Sequence, residues 1–146
     1  MIRRQTLVLL TLVGLLVATY LWLYKIGVLG QLQCGTGSCE LVQASRYAEL
    51  FGLPVALYGV GGYAALFAVG LVGLQPRFTT DRRVARVFAA LSTVGFAFTL
   101  YLTAIELFVL HAICRWCVAS AVIMTIVWLL SMFELRATPS GNTSTR

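Results

Sequence analysis

Most charged residues in this chain fall in short clusters, and four long, largely apolar stretches run between them. They cover about residues 6–24, 54–74, 84–110 and 113–133. Each is close to the roughly 20 apolar residues that a helix needs to cross a bilayer. The first ends in Tyr20, Trp22 and Tyr24, aromatic side chains of the kind that settle at the headgroup boundary. It is longer than the apolar core of a secretory signal and no A-x-A-like cleavage site follows it, so it reads as a permanent span. The second opens with Pro54, which suits a first helical turn. It also carries Gly59, Gly61, Gly62, Gly70 and Gly73, which let a neighbouring helix approach closely. The pattern predicts an all-α membrane protein, a single domain of four transmembrane helices over residues 1–136, followed by a short disordered tail over 137–146.

Composition narrows the function classes. Of 146 residues 60% are hydrophobic and only 11% charged, where a soluble domain carries about a quarter charged. A soluble enzyme and a nucleic-acid-binding domain are therefore disfavoured, and the net charge of +6 is read by position. Arg3, Arg4, Arg77, Arg82, Arg83, Arg86, Arg136 and Arg146 fall on one side of an even number of spans, whereas Lys25, Arg46 and Arg115 fall on the other. That bias predicts cytoplasmic termini.

With this orientation all four cysteines lie outside the cytoplasm, where disulfides persist. Cys34 and Cys39 flank the glycine-rich Gly35-Thr36-Gly37-Ser38 in the first outer loop, and Cys114-Arg115-Trp116-Cys117 forms a C-x-x-C where the fourth helix begins. At such a position the first thiol meets the helix dipole and unpaired N–H groups that favour a thiolate. Two pairs on one side predict a thiol-disulfide relay; the competing reading is a tetrahedral four-cysteine zinc site, against which the oxidising space and the glycine loop argue. A relay needs an electron sink. No nucleotide-binding G-x-G-x-x-G unit and no haem C-x-x-C-H is present, which leaves a membrane quinone, reached by the deeper thiol Cys117.

The run Cys39-Glu40-Leu41-Val42-Gln43-Ala44-Ser45-Arg46-Tyr47, then Phe51-Gly52-Leu53-Pro54, Tyr101-Leu102 with Glu106, and Ile113-Cys114-Arg115-Trp116-Cys117 resembles the vitamin K epoxide reductase family, its bacterial homologues most closely. The other four-span thiol oxidases, the disulfide bond protein B family, carry their C-x-x-C in the first outer loop instead of last. The resemblance implies a four-helix bundle capped on its outer side by the loop and a short half-helix over about 42–50, closing a quinone site. It implies that Cys117 faces the quinone, that Cys39 pairs with Cys114, and that Cys34 meets the thiol partner. Val42, Ser45, Tyr47 and Leu102 match pocket positions, and Tyr101 and Glu106 join them as candidate quinone contacts. An animal-type tyrosine is replaced by Ala121, and the animal pocket asparagine has no counterpart over 57–63. Those departures point away from epoxide reduction.

The expectation is thus a membrane thiol-disulfide oxidoreductase. It oxidises a separate thioredoxin-like periplasmic protein, reduces a quinone of the ubiquinone or menaquinone type and binds no metal. The chain ends at Arg146 without a fused thioredoxin-like domain, and its first outer loop is short, which points to a bacterial inner membrane. Vitamin K quinone or epoxide reduction proper, and a four-cysteine metal-binding membrane protein, are the alternatives. Glu106, an ionisable group inside a span, is a functional candidate by position, as a proton acceptor or relay for the quinone.

Overall fold

The computed structural model describes residues 2–31 and 39–138. Cys34, and the part of the expected tail beyond Thr138, lie outside the described residues. Among the described residues, four helices are long and apolar enough to cross a membrane, the form in which a backbone satisfies its own N–H and C=O groups in hydrocarbon. They are α1 (Ile2–Lys25), α3 (Val55–Leu74), α4 (Arg82–Ala104) continued by a π-helical turn (Ile105–Leu110), and α5 (Arg115–Ala137). A short helix, α2 (Cys39–Ala44), lies between α1 and α3. α1 packs against α3 and α5, and α4 against α3 and α5, so the four long helices close into a bundle.

The centre of the bundle holds Leu7, Ala18, Tyr63, Leu66, Phe88, Met124 and Val127. Hydroxyl groups inside it are paired: Ser92 and Ser131 meet across α4 and α5 at 2.7 Å, and Thr11 bonds the Val8 carbonyl on its own helix. At one end Arg4 ties three elements together. It donates to the Glu134 carboxylate at 2.6 Å and to the Gly73 carbonyl at 2.8 Å. The start of α1 and the end of α5 therefore share one end of the bundle. At the opposite end a second cluster contains Leu21, Cys39, Val42, Ala112 and Cys114.

The cap differs from the half-helix expected over 42–50. Helix α2 starts three residues earlier, at Cys39, and stops at Ala44. Ser45 is extended, and its hydroxyl bonds the Val42 carbonyl at 2.7 Å, a local bond that competes with helix continuation. A 3-10 turn (Arg46–Ala48) follows. A hairpin then pairs β1 (Glu49–Leu50) with β2 (Leu53–Pro54). Its two turn residues, Phe51 and Gly52, both have positive φ, 54° and 78°, as the tightest right-twisting hairpins require. Pro54 belongs to that pairing and precedes α3, which begins at Val55, so it is not in the first helical turn. The third span also departs from a uniform helix. In its π turn the Glu106 carbonyl accepts N–H bonds from both His111 and Ala112, and His111 ends the turn at φ 48°.

Candidate active site

The fourth helix begins one residue after Cys114, not at Ile113. Cys114 is its N-cap, extended in backbone, and its sulfur accepts the Cys117 N–H at 3.4 Å. The sulfur thus fills the place that a serine or aspartate oxygen usually takes at a helix start. The i to i+3 spacing sets Cys117 one turn deeper on the same face. Cys114 is fully buried and packs in one cluster with Cys39, with Cys117 against it. Cys39 is disulfide-bonded, whereas Cys114 and Cys117 are free thiols.

The hydrogen bond from the Cys117 thiol holds the Cys114 thiol below its ordinary range, helped by the Cys117 and Trp116 N–H groups. Burial and the nearby Glu106 carboxylate oppose that shift. Glu106 is itself buried, 8% exposed, because the π turn swings it inward instead of toward lipid. Its carboxylate accepts the Cys114 N–H at 3.3 Å and also contacts the Cys117 thiol.

Beneath the thiols lies a cavity of about 140 Å³, walled mainly by apolar atoms. Cys117 and Glu106 line it, together with Val42, Ser45, Tyr47 and Leu102. The structure brings these residues together as the sequence predicts; Cys34 lies outside the described residues. Tyr101 is different: it is absent from that wall and 53% exposed, lining an outer groove with Arg46 and Tyr47. Leu102 lines that groove as well as the cavity. A second apolar groove between α4 and α5 shares Thr99, Thr103, Glu106, Cys117 and Ala121 with the cavity.

Two further groups belong to this site. Gln43 is buried and lines the cavity, and its amide donates to Cys117 Sγ at 3.7 Å. The sequence signal for it is its spacing: it lies four residues after Cys39, on the same helical face. Tyr63 crosses from α3 to bond the Ser120 carbonyl at 2.9 Å, three residues beyond Cys117. That bond fixes α5 where it borders the cavity.

Apolar walls with a few convergent polar groups suit a planar lipid-borne ring with polar oxygens. The residues present therefore fit a quinone head. A sequence model described as the Vitamin K epoxide reductase family matches residues 5–132 of this chain.

Proposed function

This chain belongs to the vitamin K epoxide reductase family, whose members are oxidoreductases, and we propose that it carries electrons from an extracytoplasmic thioredoxin-like dithiol to a membrane quinone, supporting disulfide formation in exported proteins. One observation carries the reading. Cys39 and Cys114 are buried side by side in one cluster, while Cys117, one turn along α5, opens on an apolar cavity. A loop cysteine and the C-x-x-C thus share one buried cluster, and the deeper thiol borders an apolar cavity.

Each transfer is a thiolate attack on a disulfide sulfur. The partner's dithiol reduces the Cys34–Cys39 disulfide and leaves oxidised. Cys39 thiolate then attacks Cys114 Sγ of an oxidised C-x-x-C. The Cys39–Cys114 bond forms, the Cys114–Cys117 bond breaks, and the electron pair resides on Cys117. Attack by Cys34 on Cys39 restores the loop disulfide and releases Cys114 as thiolate, whose ionised form the helix start favours. The Cys114–Cys117 dithiol would pass two electrons and two protons to a quinone held in the cavity, closing again to the disulfide as the quinol leaves. Glu106, in contact with both the Cys114 N–H and the Cys117 thiol, is placed to receive the thiol proton and return it toward the cavity. Ala121, on the cavity wall, offers no hydroxyl, which favours a quinone over an epoxide as acceptor. The arginine bias supports a topology with the cysteines on the extracytoplasmic side.

The test is quinol formation by the purified protein in detergent, supplied with a reduced thioredoxin-like protein and, in turn, ubiquinone, menaquinone and vitamin K. Turnover by the wild type, lost to background in Cys117→Ala and in Cys34→Ala, is the expected result. Silence with all three quinones, or turnover that survives loss of Cys117, would overturn the reading.

A further inference from the structure

Helix α2 has only six residues, yet one face of it touches both members of the C-x-x-C. Cys39 packs beside Cys114, and Gln43, one turn on, donates its amide N–H to Cys117 Sγ at 3.7 Å. The Gln43 backbone is held from behind: its carbonyl accepts a bond from Lys25 Nζ at 2.9 Å. Lys25 pairs in turn with Glu49 at 3.4 Å, which joins α2 and the hairpin to the end of α1. The amide is therefore fixed on a partly buried sulfur by a framework that it did not itself create.

We propose that the side-chain amide of Gln43 is a catalytic hydrogen-bond donor that stabilises the negative charge left on Cys117 Sγ when Cys39 opens the Cys114–Cys117 disulfide. The inference rests on the relay described above and adds a residue to it. When that bond breaks, Cys117 becomes a thiolate in a largely apolar wall, and a preorganised donor is worth most where charge develops away from water. The other titratable or charged groups around Cys117 do not replace it. Cys114 is engaged in the mixed disulfide at that moment. Glu106 from the π turn carries negative charge when ionised, and Lys25 stands behind the Gln43 carbonyl instead of facing the sulfur. Tyr63 from α3 gives its hydroxyl to Ser120. One short helix thus delivers the attacking thiol and the stabiliser of the leaving thiolate together.

In Cys34→Ala protein holding a single disulfide, two isomers exchange with no net oxidation or reduction. One has Cys114–Cys117 with free Cys39, and the other has Cys39–Cys114 with free Cys117. Their ratio, read by acid trapping, alkylation and peptide mass spectrometry, needs neither quinone nor partner, so it can fail or succeed independently of quinone turnover. Adding Gln43→Met, which keeps volume but removes the donor, should shift the ratio about tenfold away from Cys39–Cys114 at high pH, as loss of a hydrogen bond to a charged group implies. The shift should vanish at low pH, where free Cys117 is protonated. Lys25→Met, which loosens α2 without touching the amide, serves as the control for mere displacement of the helix. An unchanged ratio in Gln43→Met, or a shift equal at every pH and matched by Lys25→Met, would overturn the proposal.

Discussion

At the scale of single residues, the chemistry of this site turns on which thiol is ionised and what surrounds it. Cys114, at the helix start, takes a hydrogen bond from the Cys117 thiol and is held below its ordinary ionisation range, against the opposing charge of Glu106. The signs of two substitutions follow. In reduced protein, alkylation of Cys114 tracks its thiolate fraction. Cys117→Ala removes the largest lowering influence, so the pH of half-maximal alkylation should rise, by about one unit. Glu106→Gln keeps an oxygen to accept the Cys114 N–H but removes the charge, so the midpoint should fall. Peptide-resolved alkylation rates across pH check both; movement of either in the opposite direction would show that the hydrogen-bond arrangement is wrongly described. The lone histidine, His111, contributes differently from its closeness in sequence to Cys114: its backbone at φ 48° ends the π turn that aims Glu106 inward.

At the scale of elements, lipid makes a membrane span visible in sequence, since an apolar run of sufficient length has few alternative fates. The four long helices therefore follow the four apolar stretches, with their ends displaced by a few residues where Asp81 and Cys114 cap them. The capping segment was less legible. Its break at Ser45 depends on a single hydroxyl bond, and its hairpin on the positive φ of Phe51, a residue that does not advertise it. Placing the start of α2 at 42 instead of Cys39 also hid Gln43, because only a helix already running at Cys39 sets the two on one face. The π turn leaves no mark in hydropathy at all, since it redirects Glu106 without changing composition. Contact between α1 and α3 carries a prediction of its own. A Cβ at Gly14 would run into the buried Tyr63 ring, whose hydroxyl anchors α5 beside the cavity. Gly14→Ala should lower stability by about 1–3 kcal/mol, the range typical of overpacking, and reduce quinone turnover. Gly61→Ala, where a Cβ meets nothing within 4 Å, should change neither. Equal melting temperatures in detergent for Gly14→Ala and wild type would remove this role for the α1–α3 contact.

At the scale of the whole molecule, the two ends of the bundle are built for different tasks. One is tied by the Arg4–Glu134 ion pair and the Gly73 carbonyl. The other holds Cys39, Cys114 and Cys117 beside an apolar cavity. That Cys39, Cys114 and Cys117 meet at one end was readable from the two spans that separate Cys39 from the C-x-x-C. The cavity was readable only through family resemblance, which supplied Val42, Ser45, Tyr47, Leu102 and Glu106 but also Tyr101, which faces the outer groove. The central claim is that α2 brings Cys39 to Cys114 so that electrons pass from the loop to the C-x-x-C. Its most direct measurement is the disulfide map of Cys34→Ala/Cys117→Ala protein in membranes equilibrated with a glutathione redox buffer, acid-trapped, alkylated and read by mass spectrometry. With neither Cys34 to return to Cys39 nor Cys117 to return to Cys114, a Cys39–Cys114 disulfide should form and persist. Cys39 and Cys114 both recovered alkylated or glutathionylated, with no bond between them, would contradict the account.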